Sequence, residues 1–472
     1  MAELEAENAE LRVQAARVVV LEAQVAELSA LVLELRARLK LDSSTSSMPP
    51  SSDGLRKKPR RSVPGEGGER RAGKQLGAEG AYREQVADPD EMVACEPECC
   101  AACGELLAGC DVVGVERRQV GDIPPQALRW VEYQAWSVRC RCGEVTKAAF
   151  PLDVVAPVQF GPGVQAVATY LHAVQHVPYA RVQATLSDLM GVEVSLGWIP
   201  TAVSKLADLV EPVCVFIADA LAGAEQAHFD ETGARVAGSL HWVHVASNHQ
   251  LTHLGLSKRR GQVGMRELGI LPRFSGIAVH DGLAAYRQFE ITHALCNAHH
   301  LRELEALVEL YDQPWAQDMI DLLLDAKAAV ARAIERGNDE LHARQLGTFW
   351  KRYQRIIDTG HAANPPPEPT GNRGRPKLGK AGSLLKRLDE HRHDVMRFMT
   401  DLSVPFDNNQ GERDIRMVKL QQKISGCWRT LIGAERYLRL RTYLQTARKQ
   451  GKNLFAALRE AAEGCPWQPA IS

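Results

Sequence analysis

A chain of 472 residues with 45% hydrophobic and 24% charged residues can form two to four folded domains and is too apolar to be disordered throughout. Its net charge of −1 excludes a uniformly basic protein, so any binding to nucleic acid has to depend on local basic segments such as 56–74 and 412–452, which could also be solvated surface. The acidic N-terminus is unlike a secretory signal, and no stretch has the roughly 18 uninterrupted apolar residues of a membrane span. We therefore expect a cytoplasmic protein with no membrane partner.

The first 41 residues carry a heptad repeat, which predicts a coiled coil. Position a is occupied by Leu4, Leu11, Val18, Val25, Val32 and Leu39, and position d by Leu21, Leu28 and Leu35. Because Val at a and Leu at d favours two parallel helices, we expect self-association through residues 1–41. The alternative is an amphipathic helix packed on its own chain. Residues 42–90 are rich in Ser, Pro, Gly and basic side chains and are predicted to be a disordered basic linker.

Seven of the eleven cysteines fall between Cys95 and Cys142, which favours metal binding over disulfides in a chain without a signal. The sequence therefore predicts a small zinc-binding domain over 91–150. A structural Zn²⁺ would take four thiolates from two closely spaced pairs: Cys100, Cys103, Cys140 and Cys142. The spare thiols Cys95, Cys99 and Cys110 could substitute, and buried free thiols are the alternative.

Residues 151–220 are predicted to be helical and similar to a helix-turn-helix. A helical pattern over 179–190 is followed by a turn at 191–195 and a second helical pattern over 196–210, with Ser195 as a plausible N-cap. Such a pair could place its second helix in a major groove of DNA. A plain helical hairpin has the same pattern, so both interpretations stay open.

Three short strands joined by tight turns are predicted between residues 227 and 261. Asp230 falls in the middle of the first strand, where Asp is disfavoured, and a broken local rule often marks a functional site. The alternative is an edge-strand Asp that faces water. A fourth, buried strand is predicted over 275–282, with Asp281 at its end and Gly282 in the following turn.

Most of the remaining chain is predicted to be helical. We expect a short helix at 262–268, a helix that opens within 293–302 and continues to about 359, and another over 382–399. The intervening loop, 361–380, contains Arg373 and Arg375, which could lie in a narrow minor groove, although a flexible basic loop is the simpler explanation.

A last helix follows the turn at 407–409. It carries Glu412, Arg416, Lys419 and Lys423 on one face, and Arg413 beside them. Alone, this is a usual pattern of surface ion pairs. With Asp230 and Asp281, however, Glu412 completes the order of acids that a ribonuclease-H-like fold brings together. Converging carboxylates repel one another unless cations lie between them, and two Mg²⁺ ions would support cleavage of phosphodiester bonds.

The sequence resembles bacterial DDE transposases of the insertion sequence 66 family. The motifs that carry the resemblance run from the linker almost to the C-terminus: SSMPPSSDG, Cys100-x-x-Cys103-Gly with Cys140-x-Cys142, HFDETG, AVHDGLAAY, CNAHHLREL, VPFDNNQGERDIRMVK, and KISGCWRTLIGAERYLRLRTYLQTARKQGKNLFAAL. The spacing of Cys140 and Cys142 is one residue shorter than in the family, and GKQLGAEGAYRE matches its Gly-rich linker only weakly.

The resemblance implies that Asp230, Asp281 and Glu412 are the catalytic acids and hold Mg²⁺ or Mn²⁺. It also implies that Cys296 and His299 form a structural or second-layer pair near them, and that residues 301–400 are a helical insertion. The N-terminal modules would bind element ends or pair subunits. DNA contacts are expected from the basic residues of the last helix and the loop: Arg413, Arg416, Lys419, Lys423, Arg373 and Arg375. Accessory proteins of the same element are plausible partners.

The predicted fold class is α/β, with a ribonuclease-H-like core over 221–425 that contains the helical insertion, and a basic helical region over 426–472. The predicted function is that of a transposase which binds element ends and target DNA, cleaves strands and transfers them, and is nucleoid-associated when bound to DNA. Two alternatives remain. One is a non-catalytic zinc-finger and coiled-coil DNA-binding protein derived from a transposase, and the other is a metal-dependent nuclease of the same fold.

Overall fold

The computed structural model describes residues 84–122, 128–366 and 378–471, together with six helical positions between 17 and 28. The chain divides into two compact units, one formed by 56–128 and the other by 1–55 with 129–472. Most of the heptad, nearly all of the linker, Arg373 and Arg375 lie outside the described residues. No helix in the described part of the chain is both long and apolar enough to cross a membrane.

Four heptad positions are described, and all four are helical and at least half exposed: Val18, Leu21, Val25 and Leu28. An apolar seam of this kind is what a coiled coil buries against a second helix. The described heptad positions are therefore helical, as predicted, and the coiled coil and self-association stay predictions.

The smaller unit holds a tight turn from Cys100 to Gly104. Gly104 has a φ of +75° and donates its N–H to the Cys100 carbonyl at 2.8 Å. This is the left-handed geometry that Gly adopts without steric cost. Cys99 and Leu106 form an antiparallel bridge across the turn.

In the larger unit, a hairpin of β1 (Ser137–Arg139) and β2 (Val145–Lys147) precedes four helices. These are α1 (Pro162–Thr169), α2 (Tyr179–Met190), α3 (Trp198–Leu209) and α4 (Glu211–Ala222). The predicted helix pair is confirmed as α2 and α3. Ser195, however, is not the N-cap of α3, because its carbonyl accepts a turn hydrogen bond from Trp198 and the helix begins after Gly197.

A five-stranded mixed sheet follows. Its strands are β3 (Gln226–Val236), β4 (Ser239–Ser247), β5 (Thr252–Ser257), β6 (Ile277–His280) and β7 (Thr292–Leu295), and their order across the sheet is β5-β4-β3-β6-β7. The first three strands pair antiparallel, whereas β6 and β7 run parallel to β3. This sheet confirms the predicted α/β class.

Local turn chemistry sets the first two connections. Ala237 and Gly238 both have positive φ, which matches the two-residue hairpin turn favoured by strand twist. In the next turn the Asn248 side chain accepts hydrogen bonds from the N–H groups of residues 250 and 251. The predicted helix α5 (Gln262–Leu268) is confirmed without any shift of its ends.

Two sequence predictions were wrong in detail. The stretch predicted to open a helix at His293 instead forms β7, because its residues pair with β6, and helix α6 (Asn297–Tyr311) begins only after Cys296. The long helix predicted to about residue 359 is interrupted. After α6 the chain turns at Asp312, whose φ is +48°, into α7 (Pro314–Glu335), and α8 (Ala343–Ala363) follows another break.

The helix predicted over 382–399 is likewise divided into α9 (Lys380–Glu390), α10 (Arg392–Val395) and α11 (Arg397–Thr400). The helices between β7 and α12 (Asn409–Ser425) bury an apolar core around Trp315. Two further helices, α13 (Leu431–Lys449) and α14 (Leu454–Ala462), complete the chain. Helix α13 packs on the sheet, and its hydroxyl groups Thr442 and Thr446 accept hydrogen bonds from the backbone of β5.

Candidate active site

Asp230 lies in β3, and Asp281 lies just beyond the end of the neighbouring strand β6. The last residue pair between β3 and β6 is His228 with Val279, and each aspartate comes two residues beyond it. Because neighbouring strands are about 4.8 Å apart and equal steps along parallel strands keep side chains on one face, the two carboxylates are close neighbours. Asp281 follows the end of β6 directly, where its Oδ1 accepts the N–H of Leu283 at 2.9 Å.

Glu412 reaches this place from a helix that begins 128 residues after β6 ends. It lies in the first turn of α12, where the positive end of the helix dipole favours a carboxylate. The Glu412 Oε1 atom lies 3.5 Å from Arg302 Nη2 and 3.8 Å from His299 Nε2. Both partners belong to α6, whereas α12 itself packs against β3 and β4, and this packing brings the third acid to the sheet.

The electrostatics of Asp230 reflect this convergence. Burial raises the pKa of Asp230 well above its usual value, and the Glu231, Asp281 and Glu412 carboxylates raise it further. Burial and the Asp281 carboxylate also raise the pKa of Glu231. Carboxylates that repel each other in this way can remain ionised together when cations lie between them. Asp230 is therefore close enough to Asp281 and Glu412 for their charges to act on it, and a divalent cation would reduce this repulsion.

Asn408, at the start of α12, connects this helix to β3, the strand that carries Asp230. It is fully buried, and its Nδ2 donates to the Phe229 carbonyl at 2.8 Å. Its Oδ1 lies 2.8 Å from His228 Nδ1, which must therefore carry the proton and donate. The backbone N–H of Asn408 donates to the Cys296 Sγ at 3.1 Å. One side chain thus connects β3 to α12, and its backbone connects α12 to the end of β7.

Cys296 and Gly411 complete these connections. The N–H of Cys296 donates to the carbonyl of His280, the residue before Asp281, at 2.9 Å. A Cβ at Gly411 would lie only 3.1 Å from the Asn408 Oδ1 atom. The Gly in the first turn of α12 therefore leaves room for the Asn408 side chain. These contacts fix the positions of all three acids relative to one another.

Glu231 forms a second buried network beside Asp230. Its side chain is 1% exposed and receives Arg260 Nε at 3.0 Å and Arg260 Nη2 at 2.9 Å on the same oxygen. Its other oxygen accepts the Tyr286 hydroxyl at 2.8 Å, and Tyr286 stacks on His280. The Arg260 guanidinium also lies over the Trp242 ring. This network compensates the Glu231 charge and supports β3 at the level of Asp230.

Sequence reasoning did not single out Asn408, Glu231, Arg260 or Tyr286. Asn408, Glu231 and Tyr286 fall within the family motifs VPFDNNQGERDIRMVK, HFDETG and AVHDGLAAY, but the motifs by themselves assign these side chains no role. Their partners lie between 29 and 180 positions away along the chain, so no local pattern could have revealed them.

The predicted DNA-binding residues of α12 are all exposed. Arg413 donates to the Gln410 side chain, and the Lys419 ammonium donates to the Gly233 carbonyl of β3. Among the described residues, Arg416 and Lys423 have no ion pair or side-chain hydrogen bond. These two side chains therefore present the most available positive charge on the helix that carries Glu412.

The predicted zinc ligands include two closely spaced pairs, and each pair lies in a tight turn. Backbone N–H groups and the Cys103 side chain lower the pKa of Cys100, and a similar arrangement with Cys142 lowers the pKa of Cys140. A lowered thiol pKa favours the thiolate that binds zinc. The pairs belong to different units, and their joint binding of one ion remains a prediction.

The profiles of two known protein families match parts of the chain. Residues 1–84 match a family of unknown function, DUF6444. None of the curated proteins compared with the chain matches it. The profile of the Transposase IS66 family matches residues 157–436, which is more than half of the chain and includes every strand of the five-stranded sheet and all three acids. The chain belongs to the IS66 family of transposases.

Proposed function

We propose that this chain binds the ends of an insertion element, cleaves DNA strands there and transfers them to target DNA. The observation that carries the proposal is that Asp230 lies within the electrostatic reach of both other acids: burial raises its pKa most, and the Glu231, Asp281 and Glu412 carboxylates raise it further. The sheet order, with three antiparallel strands followed by two parallel ones, supports a ribonuclease-H-like core. Family membership supports the choice of DNA as substrate.

Asp230, Asp281 and Glu412 would hold Mg²⁺ or Mn²⁺. The residues fit such a cation, because hard carboxylate oxygens are the ligands that both ions prefer and because the acids repel one another without a cation. When bound, the divalent cations would activate the attacking oxygen and stabilise the leaving oxygen of an in-line displacement. The protein's own part is to hold the acids in register through Asn408 and the Glu231 network.

The exposed cations of α12 would hold the DNA backbone next to the acids. Arg416 and Lys423 follow Glu412 by one and three turns of the same helix, so a phosphate chain that contacts them passes close to the site. Each phosphate contact releases counterions and makes binding salt-dependent. The predicted loop cations Arg373 and Arg375, which lie outside the described residues, are also proposed to contact DNA. The zinc turns, Cys100 with Cys103 and Cys140 with Cys142, are proposed to bind one structural Zn²⁺ and to support end recognition or subunit pairing.

Full-length protein incubated with labelled element-end duplexes and Mg²⁺ tests the proposal. We expect Asp230→Ala, Asp281→Ala and Glu412→Ala each to abolish cleavage. Binding of the element ends, measured by gel shift, should persist. Asp318→Ala is the matched control, because this acid lies exposed on α7. Binding without cleavage by the unsubstituted protein would favour the non-catalytic alternative. Cleavage without joining would favour the nuclease.

A further inference from the structure

Three side chains of different chemistry meet next to the carboxylate site. Cys296 precedes α6, His299 lies in its first turn, and Glu412 faces them from α12. The Cys296 Sγ, a ring nitrogen of His299 and a carboxylate oxygen of Glu412 all lie within 4.8 Å of one another. Among the described residues, no other group of three or more His, Cys, Asp or Glu side chains is arranged this closely.

Two atoms of this group are buried without a hydrogen-bond partner. They are His299 Nδ1 and Glu412 Oε1. The Oε1 atom has only the longer contacts to Arg302 Nη2 at 3.5 Å and His299 Nε2 at 3.8 Å. Because buried polar atoms of folded proteins are rarely left without a partner, these two atoms, in side chains whose possible ligand atoms meet within 4.8 Å, point to a ligand at this place.

The donor set selects the class of ligand. Thiolate and imidazole suit Zn²⁺ and similar transition ions, whereas Mg²⁺ prefers oxygen ligands alone. The His299 imidazole offers a ring nitrogen within reach of the Cys296 sulfur and the Glu412 carboxylate. One thiolate and one carboxylate would balance the charge of a divalent ion. The Asn408 N–H, 3.1 Å from the Cys296 Sγ, would stabilise the thiolate.

We propose that Cys296, His299 and Glu412 form a binding site for one Zn²⁺-class ion beside the catalytic carboxylates. Binding forms a metal–sulfur bond and releases the thiol proton of Cys296 to water. Arg302 is the cation nearest to Glu412 without the ion, and its guanidinium would turn away when the ion binds. Three protein ligands would leave a fourth coordination position of the ion for a water molecule.

The site has a consequence that rests on the proposed function. Glu412 would be shared between the zinc ion and the Mg²⁺ or Mn²⁺ of the catalytic acids. Zinc bound here would therefore occupy the Glu412 carboxylate and compete with the catalytic cation for it. We expect Zn²⁺ to inhibit Mg²⁺-dependent cleavage by the wild-type protein.

Zinc content measured without DNA tests the binding itself. Full-length protein is stripped with a chelator, dialysed against ZnCl₂ and then against metal-free buffer, and its bound zinc is measured by elemental analysis. We expect Cys296→Ser and His299→Gln each to hold about one ion per chain less than wild type. Cys214→Ser is the matched control, because that thiol is also buried but donates to the Arg439 carbonyl, in a different part of the fold.

Equal zinc content in wild type and both variants would overturn the proposal, and so would a loss that Cys214→Ser shares. The cysteine turns contribute the same zinc to every protein compared, so the difference reports this site alone. In the cleavage assay, the rate of each protein with zinc is divided by its own rate without zinc. We expect zinc to inhibit cleavage by Cys296→Ser and by His299→Gln less than it inhibits cleavage by the wild type. Absence of cleavage in every protein would count against the proposed function and leave the zinc measurement valid.

Discussion

Asn408→Ala is the substitution that most directly tests how the candidate site is held together. The change removes both side-chain hydrogen bonds and leaves the Phe229 carbonyl and the His228 Nδ1–H buried without partners. Each orphaned group costs about 1–3 kcal/mol, so we expect the free energy of unfolding to fall by about 2–6 kcal/mol. The backbone bond to Cys296 does not depend on the side chain and should persist.

The same substitution should also slow catalysis, because α12 would no longer be fixed against β3. A misplacement of about 1 Å can cost about 100-fold in rate, and we expect a loss of that order in cleavage with end binding retained. Urea unfolding followed by circular dichroism measures the stability, and labelled end duplexes measure the rate.

Asn409→Ala is the matched control, since Asn409 is exposed and donates only its backbone N–H, to Asp407. We expect its stability to stay within about 0.5 kcal/mol of wild type. If Asn408→Ala changed stability by less than about 1 kcal/mol, or if the two substitutions behaved alike, the connecting role assigned to Asn408 would be wrong.

Three further predictions concern other parts of the chain. Arg260→Ala should lower the free energy of unfolding by about 1–3 kcal/mol because it leaves the buried Glu231 carboxylate without its cation. Adding Glu231→Gln should recover part of that loss in a double-mutant cycle. If the effects of the two substitutions simply added, the pairing would be contradicted. Burial, together with the Arg441 and His172 charges, lowers the pKa of His176 to about 4. Because the unfolded chain takes up this proton first, the free energy of unfolding should fall by about 3 kcal/mol as the pH drops from about 6.5 to about 4. An equally steep fall in His176→Gln would refute this. Deleting residues 1–41 should weaken self-association measured by analytical ultracentrifugation, and unchanged dimerisation would place the interface elsewhere.

Local patterns in the sequence were sufficient for much of the sheet. Alternation and turn residues predicted the three antiparallel strands, because the hairpin at Ala237–Gly238 and the Asn248 turn each depend on neighbouring residues. The position of Asp281 after a short buried strand was predictable for the same reason. The strand β7 was missed because it is short and helix α6 follows it after a single residue, so only its pairing with β6 distinguishes it from the start of that helix.

The order of Asp230, Asp281 and Glu412 along the chain was sufficient to propose them as catalytic acids, but the contacts that hold them in place could not be predicted. Asn408 contacts residues 112 to 180 positions away, and its Asp-Asn-Asn setting indicates only a turn. Glu231 likewise depends on Arg260 and Tyr286, which lie on other elements. A single sequence gives no periodic signal for such long-range partners, so the network around the acids emerges only when the elements are packed together.

The central claim is that Asp230, Asp281 and Glu412 act together in mobilising DNA. A cellular transposition assay tests it most directly: an element with its complete flanking DNA is mobilised by wild-type protein, by Asp281→Asn and by the exposed-acid control Asp318→Asn. We predict movement with wild type and the control and none with Asp281→Asn, since the amide removes a negative charge from the site and retains the shape of the side chain. Equal movement with Asp281→Asn and wild type would contradict the claim.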